Sequence, residues 1–139
     1  MRVARCLPSG PAARQPWAMI LANHIVLAVH DLDTSAAFFG ALGFAEVSRP
    51  DGWVFVQRDN CMVMLGLCAD ALPASELGDH SYAGYLLVDD VDDYYDQIVA
   101  AGVTPHARPA DKPWGLREFV VRSPEGHRFA IGQRLTDPH

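Results

Sequence analysis

Cysteine is scarce in this chain. Three occur in 139 residues, Cys6, Cys61 and Cys68, with no Cys-x-x-Cys or Cys-x-x-His spacing. An odd, sparse set of this kind builds neither a disulfide framework nor a zinc site. Free packing thiols in a reducing cytoplasm are the simple reading. Basic residues are also few: 11 Lys and Arg stand against 17 Asp and Glu, for a net charge of −6. That balance excludes a protein that grips a nucleic-acid phosphate backbone and suits a cationic ligand. No apolar run approaches the roughly 18 residues that a membrane span needs. There is no G-x-S-x-G elbow, no glycine-rich phosphate loop and no H-E-x-x-H pair, so the common nucleophile, nucleotide and zinc-hydrolase signatures are missing.

What remains is the composition of an ordinary globular domain, half apolar and one fifth charged, which excludes wholesale disorder. A chain of this size buries roughly 68–70% of its unfolded surface and needs no covalent staple. The first eighteen residues, MRVARCLPSGPAARQPWA, differ from the rest. They are rich in Arg, Pro and Ala, lack periodicity and lack the apolar core of a signal peptide. We read 1–18 as a mobile tail, Met19 as a candidate translation start, and 19–139 as one domain.

From Met19 the elements alternate. His24–Val29 reads as a strand, Thr34–Leu42 as a helix capped by Asp33 and stopped by Gly43, and Glu46–Ser48 as a short strand. Trp53–Arg58 and Cys61–Leu67 read as strands of a tight hairpin at Asp59-Asn60. An acidic connector, Ala69–Asp79, follows. The order then recurs. Tyr82–Val88 is a strand, Asp92 caps a helix ending at Ala101, Val103–His106 is a strand, and Leu116–Arg122 and His127–Arg134 flank the turn Ser123–Gly126. An offset of 59 superposes Val29, Asp31, Leu32, Asp33 and Gly43 on Val88, Asp90, Val91, Asp92 and Gly102. Offsets of 64 and 66 superpose Arg58 on Arg122 and Gly66 on Gly132. The chain therefore reads as β-α-β-β-β twice, an α+β fold with module one at 23–68, a linker at 69–79 and module two at 80–135. In the second helix Tyr94/Ile98 and Tyr95/Val99 are spaced to form an apolar face, and Ala36, Phe39 and Leu42 correspond to Tyr95, Ile98 and Ala101.

The segments HIVLAVHDLDTSAAFFGALGF and KPWGLREFVVRSPEGHRFAI resemble the glyoxalase/bleomycin-resistance (vicinal oxygen chelate) superfamily, the second resembling its bleomycin-resistance branch in particular. Ser123 and His127 depart from that pattern in the turn. The resemblance spans about His24 to Arg134. It implies two βαβββ modules with curved mixed sheets that cup a cavity, and a homodimer. It also implies where a metal would sit in the metal-dependent members: one ligand from the first and last strand of each module. Here those positions, by family pattern and by internal offset alike, are His24, Met64, Ala83 and Ala130. One imidazole, one thioether and two methyl groups do not hold a catalytic zinc, nickel or iron ion. No metal and no other cofactor is expected.

The reading that follows is a metal-free, antibiotic-like small-molecule binding protein of the bleomycin-resistance type. It acts by sequestration, is dimeric and cytoplasmic, and binds no nucleic acid or membrane. Period-two alternation places His24, Val26 and Ala28, then Met62 and Met64, then Ala83 and Tyr85, then Ala130 and Arg128, on the cup faces. Methionines adapt to irregular guests. Trp114, between Pro113 and Gly115, offers a face for a planar or cationic ligand, and Trp53 and Phe55 are its counterparts across a dimer groove. The expected ligand-binding residues are therefore His24, Trp53, Phe55, Met62, Met64, Tyr85 and Trp114. The alternative is a metal-independent lyase or isomerase with His24 as general base. Otherwise His24 is a hydrogen-bonded relic of the ligand pattern. His30, His80, His106, His127 and His139 read as polar groups at strand ends, loops and a terminus, and Asp89, Asp90, Asp92, Asp93 and Asp96 as a helix-capping cluster. Arg117 and Glu118 are expected to pair with neighbours on an exposed strand face.

Overall fold

The computed structural model describes residues 17–135. Most of the expected tail, together with Cys6 and His139, lies outside the described residues. Among the described residues two α-helices and eight strands run in the order β1 (Ile25–Val29), α1 (Leu32–Ala41), β2 (Ala45–Ser48), β3 (Trp53–Arg58), β4 (Cys61–Leu67), β5 (Tyr82–Leu87), α2 (Val91–Ala100), β6 (Ala110–Asp111), β7 (Leu116–Arg122) and β8 (Arg128–Arg134). The strands form two four-stranded mixed sheets, ordered β1-β4-β3-β2 and β5-β8-β7-β6. In each sheet the first strand of the module pairs parallel with the last, β1 on β4 and β5 on β8, and the remaining pairs are antiparallel. The connector forms two short 3₁₀ turns, Ala74–Glu76 and Gly78–Ser81. Among the described residues no helix is long and apolar enough to cross a membrane.

The repeat offsets hold at the ladders. Val26 pairs with Met64 and Tyr85 with Ala130; Ala28 pairs with Gly66 and Leu87 with Gly132. First strands are thus related by 59 and last strands by 66. The third strands are related by 65, because Phe55 faces Met64 whereas Val120 faces Ala130. Arg58 and Arg122 are therefore not equivalent. Arg58 sits over the Tyr94 ring at 4.6 Å and donates to the Leu42 carbonyl. Arg122 bonds the Gly126 carbonyl of its own hairpin.

Both helices start two residues earlier than Asp33 and Asp92 imply. Asp31 and Asp90 are the caps, accepting from the amides of Thr34 and Asp93 at 2.9 and 3.0 Å. The reason lies in the buried face. Val91, Tyr94 and Ile98 are all buried, as are Ser35 and Phe39 behind Leu32. Including Leu32 and Val91 in the helices completes an i, i+3, i+7 stripe, so the earlier acid must cap. Val99, expected on the apolar face, is 44% exposed. The strand expected at Val103–His106 is replaced by the two-residue β6. With Pro105 present, that stretch contributes one ladder-like bond, from the His106 amide to the Val120 carbonyl.

One core unites the modules. The inward strand residues Leu27, Val29, Val54, Val56, Val63, Leu65, Phe119, Val121, Phe129 and Ile131 pack with Phe39, Leu42, Val91, Tyr94 and Ile98 of the helical segments. Phe39 of α1 meets Phe129 of β8 edge-on at 5.5 Å, and the Tyr94 hydroxyl donates to the Leu42 carbonyl. Each sheet therefore buries one face against helices and leaves the other open.

Candidate functional site

The open faces carry the chemistry. In the first sheet Val26, Met64 and Phe55 form one rung across β1, β4 and β3, and Ala28, Gly66 and Trp53 form the next. Cross-strand partners share a face, so the expected residues Trp53, Phe55 and Met64 lie together, with Met62 one rung further, opposite Gln57. Trp53 and Phe55 meet edge-on at 6.0 Å. Trp53 lies over Gly66, where an added Cβ would stand 2.8 Å from the indole.

The second sheet repeats the arrangement with different chemistry. Tyr85, Ala130 and Val120 make one rung; Leu87, Gly132 and Glu118 make the next. Tyr85 lies over Gly132 and donates to Glu118 Oε1 at 2.9 Å. The Trp114 indole N–H donates to the same oxygen at 3.2 Å. Burial, then the hydrogen bond and charge of Glu118, push the Tyr85 hydroxyl up to about 12. It stays a donor at any working pH. A cavity of about 470 Å³ opens here, walled by Tyr82, Tyr85, Trp114, Glu118, Val120 and Ala130 among others. Its size suits a small organic ligand. Glu118, expected only to pair with surface neighbours, is the residue the sequence reading missed. Its two aromatic partners lie four and thirty-three positions away. The first spacing was visible, but the second depends on the parallel β5–β8 pairing.

His24 sits apart from these groups. It precedes β1, is exposed, and lines a cavity of about 690 Å³ between the outer face of β1 (Val26, Ala28) and the connector (Ala71, Leu72, Leu77). Ala83 and Tyr82 belong to both this cavity and the one at Trp114. Within one chain the structure brings Tyr85 to Trp114, and Trp53, Phe55, Met62 and Met64 to one another. His24 does not line the cavity at Trp114; it shares a cavity wall with Val26 and Ala28, whose rungs carry Phe55 and Trp53. A third cavity, about 730 Å³, lies between the modules near Arg58, Cys61, Tyr94 and Asp90, and includes Tyr85 as its one expected residue.

Arg128, expected on a cup face, is used by the protein itself. Arg128 lies 3.9 Å over the Tyr82 ring and donates to Ser81 Oγ and the Gly78 carbonyl, both at 2.7 Å. Of the acidic cluster, Asp90 caps α2, Asp93 accepts from Gln97, and Asp92 binds Arg117, which also binds Asp111. Cys61 packs against the core, and burial pushes its thiol up, so it is a poor nucleophile. His30 and His127 are not plain surface groups. His30 bridges Glu125 and the Ala71 carbonyl. His127 is half-buried and held below its ordinary value, chiefly by desolvation.

The four positions that the resemblance assigns to a metal carry one imidazole among Met64, Ala83 and Ala130, a donor set that does not fit a hard or borderline divalent ion. Among the described residues no group of three or more His, Cys, Asp or Glu side chains gathers to hold one elsewhere.

Comparison with known proteins agrees with this architecture. The family model described as the Glyoxalase/Bleomycin resistance protein/Dioxygenase superfamily matches residues 21–131. A bleomycin resistance protein of Klebsiella pneumoniae is 29% identical over 104 residues, covering 69% of this chain and 79% of that protein. An uncharacterized protein of Mycobacterium tuberculosis is 29% identical over 128 residues, covering 84% and 75%. Among solved structures, a bleomycin-binding protein complexed with bleomycin aligns with a TM-score of 0.68 at 26% identity, covering 81% of this chain and 97% of that one. The bleomycin resistance determinant encoded on the transposon Tn5 aligns with a TM-score of 0.69 at 25% identity, covering 82% and 98%.

Proposed function

The chain belongs to the glyoxalase/bleomycin resistance protein/dioxygenase superfamily, and from that premise we propose that it binds a small organic molecule, planar or cationic, and sequesters it unchanged. The observation that carries this reading is the open face of the second sheet. There an exposed indole, a phenol and a carboxylate are fixed to one another over a floor of Gly132 and Ala130, the latter one of the positions that the resemblance assigns to a metal. An aromatic platform beside a carboxylate favours a flat guest with positive charge or N–H donors. The net charge of −6 adds long-range attraction. Likeness to proteins that bind or resist bleomycin supports the same class of guest. Because the metal positions are filled by Met64, Ala83 and Ala130, chemistry through a bound metal has no holder here.

The working unit in this proposal is a homodimer in the cytoplasm. Val26 and Trp114 are 60% and 62% exposed, and Tyr85 and Leu87 nearly half exposed, on or beside the open sheet faces. A second copy laid against them buries this area and joins one module's Trp53 and Phe55 to the other's Trp114.

Bleomycin is the probe to use. Titrated into the protein, it quenches tryptophan fluorescence and raises Tm, and mass spectrometry recovers it at unchanged mass. Light scattering after size exclusion gives twice the chain mass. A multi-degree rise in Tm with Ni²⁺ or Zn²⁺, reversed by a chelator, counts against the metal-free reading; a modified ligand overturns sequestration.

A further inference from the structure

His30 stands where three elements meet. It lies between the end of β1 and the cap of α1, and its ring spans from the β7–β8 turn to the connector. Nδ1 is 2.8 Å from Glu125 Oε1 and Nε2 is 2.8 Å from the Ala71 carbonyl oxygen. A carboxylate and a carbonyl only accept. Both contacts are hydrogen bonds only when both ring nitrogens carry protons, which is the imidazolium form. Glu125 is firmly placed. Its Oε2 accepts the backbone amides of His30 and Asp31 at 2.8 and 3.0 Å, and its side chain is 9% exposed. A neutral His30 therefore keeps the Nδ1–H bond to Glu125 and turns a bare Nε2 lone pair toward the Ala71 oxygen.

The connector has other anchors. Its far end is held by Arg128, through the Gly78 carbonyl and Ser81 Oγ. Its middle is wedged at Ser75 against Gly126, where φ is +97° and a Cβ would overlap the Ser75 backbone. The first stretch, Ala69–Pro73, has local bonds from the Ala71 amide to the Cys68 carbonyl and from Cys68 Sγ to Asp70, and among the described bonds His30 ties it to the rest of the fold. That stretch supplies Ala71 and Leu72 to the wall of the cavity over His24, Val26 and Ala28.

We propose that His30 is a proton-operated latch: its imidazolium pins Ala71 and closes the connector over the outer face of β1, and its deprotonation frees Ala69–Pro73 and opens that cavity. The groups facing the ring set the pH range. From the β7–β8 turn come Glu125, which favours the proton, and His127, which would oppose it if charged. Desolvation lowers the His127 value and so favours its neutral form. The Ala71 carbonyl also favours the proton, while Asp31 at the start of α1 spends its carboxylate on the Thr34 amide. The hydrogen bond to Glu125 and then that to Ala71 raise His30 above its ordinary 6.5. The latch is closed below 6.5 and opens as pH rises through the folded value.

The latch does not depend on the identity of the ligand; only its effect on occupancy rests on the binding reading. Nuclear magnetic resonance of the full chain tests it without ligand. The His30 ring nitrogens should both be protonated below pH 6.5, with a midpoint above 6.5, and the Ala71 and Leu72 amide resonances should move with that midpoint while Gly78 and Ser81 stay still. Glu125→Gln lowers the midpoint, and the connector transition follows it. In His30→Gln, which donates from a single nitrogen, Ala71 and Leu72 remain at their high-pH positions throughout. A wild-type midpoint at or below 6.5 overturns the latch even if neither variant folds, as do Ala71 and Leu72 resonances indifferent to His30. Failure of bleomycin to bind leaves these readouts intact, so the two proposals fall separately.

Discussion

The Tyr85 ring lies across Gly132 of the neighbouring strand, in space that any other residue at 132 would fill with its own side chain. Gly66 has the same relationship with Trp53, at 2.8 Å for an added Cβ. The two glycines are equivalent through the repeat, and each lets an aromatic ring lie flat on an open sheet face. In the second module the phenol then reaches Glu118, the direct partner of Gly132 on β7. Gly132→Ala forces the ring off the sheet, at a cost of about 1–3 kcal/mol typical of overpacking, and breaks the bond to Glu118. With both burial and the carboxylate lost, the Tyr85 hydroxyl falls from about 12 toward its ordinary 10. Ultraviolet titration of tyrosinate reads this directly. An unmoved high-pH transition would mean that Tyr85 does not lie where we place it.

Glu118→Gln separates the carboxylate from the burial. The amide oxygen still accepts from Tyr85 and Trp114, but the negative charge is gone. Burial is the larger cause of the raised Tyr85 value, so Tyr85 in this variant titrates below wild type yet above Gly132→Ala. The same variant retains the platform while removing its charge. A cationic ligand loses affinity in Glu118→Gln, whereas a neutral planar one does not. Calorimetry with matched cationic and neutral ligands checks the split.

Much of this was legible in the residues. Trp53–Arg58, Cys61–Leu67 and Leu116–Arg122 were read with the boundaries that the ladders show, because turn residues flank alternating apolar positions. The offsets of 59 and 66 survived as strand registers, since the core face repeats with them. The helix starts slipped by two residues because Asp31 and Asp33, like Asp90 and Asp92, are equally good caps in isolation. Only tertiary burial of Leu32 and Val91 selects between them. Two-residue β6 carries no periodicity to detect. The Glu118 corner and the His30 bridge join residues 33 and 95 positions apart. Such pairs follow from sheet order and module packing, which local pattern does not encode.

The Glu125–His30 pair predicts a stability difference with a shaped pH dependence. Glu125 is penalised by burial, but the His30 ring and the amides of His30 and Asp31 outweigh that and hold it below its ordinary 4.5. Its contribution is complete above 4.5 and is lost as pH falls through the folded value. His30 has the opposite sign: its contribution is complete below 6.5 and is lost as pH rises through its raised value. The difference in unfolding free energy between wild type and Glu125→Ala is therefore largest between 4.5 and 6.5 and shrinks on both sides. Subtraction largely removes the counteracting contribution of His127, which is present in both proteins. Urea unfolding across pH 3 to 9 (about five points suffice to define the curve) measures it; a difference flat from acid to alkali would show that the pair does not titrate as a unit.

Trp114 and His24 assign the proposed site to one face or the other. Trp114 is 62% exposed, so Trp114→Ala removes little that the fold needs. Its indole is nevertheless fixed by Glu118, and a fixed ring stacks at low entropic cost. An aromatic contact of this kind contributes about 0.5–1.5 kcal/mol beyond its area, so Trp114→Ala weakens bleomycin binding by up to roughly tenfold with Tm nearly unchanged, and Trp114→Phe retains most of the affinity. His24 lines the other cavity, under the connector. His24→Ala leaves that affinity intact if the guest sits against Trp114 and Tyr85. The reverse result, with binding lost in His24→Ala and kept in Trp114→Ala, would move the site to the outer face of β1. It would also restore His24 as a candidate general base, to be judged then by whether the ligand is recovered altered.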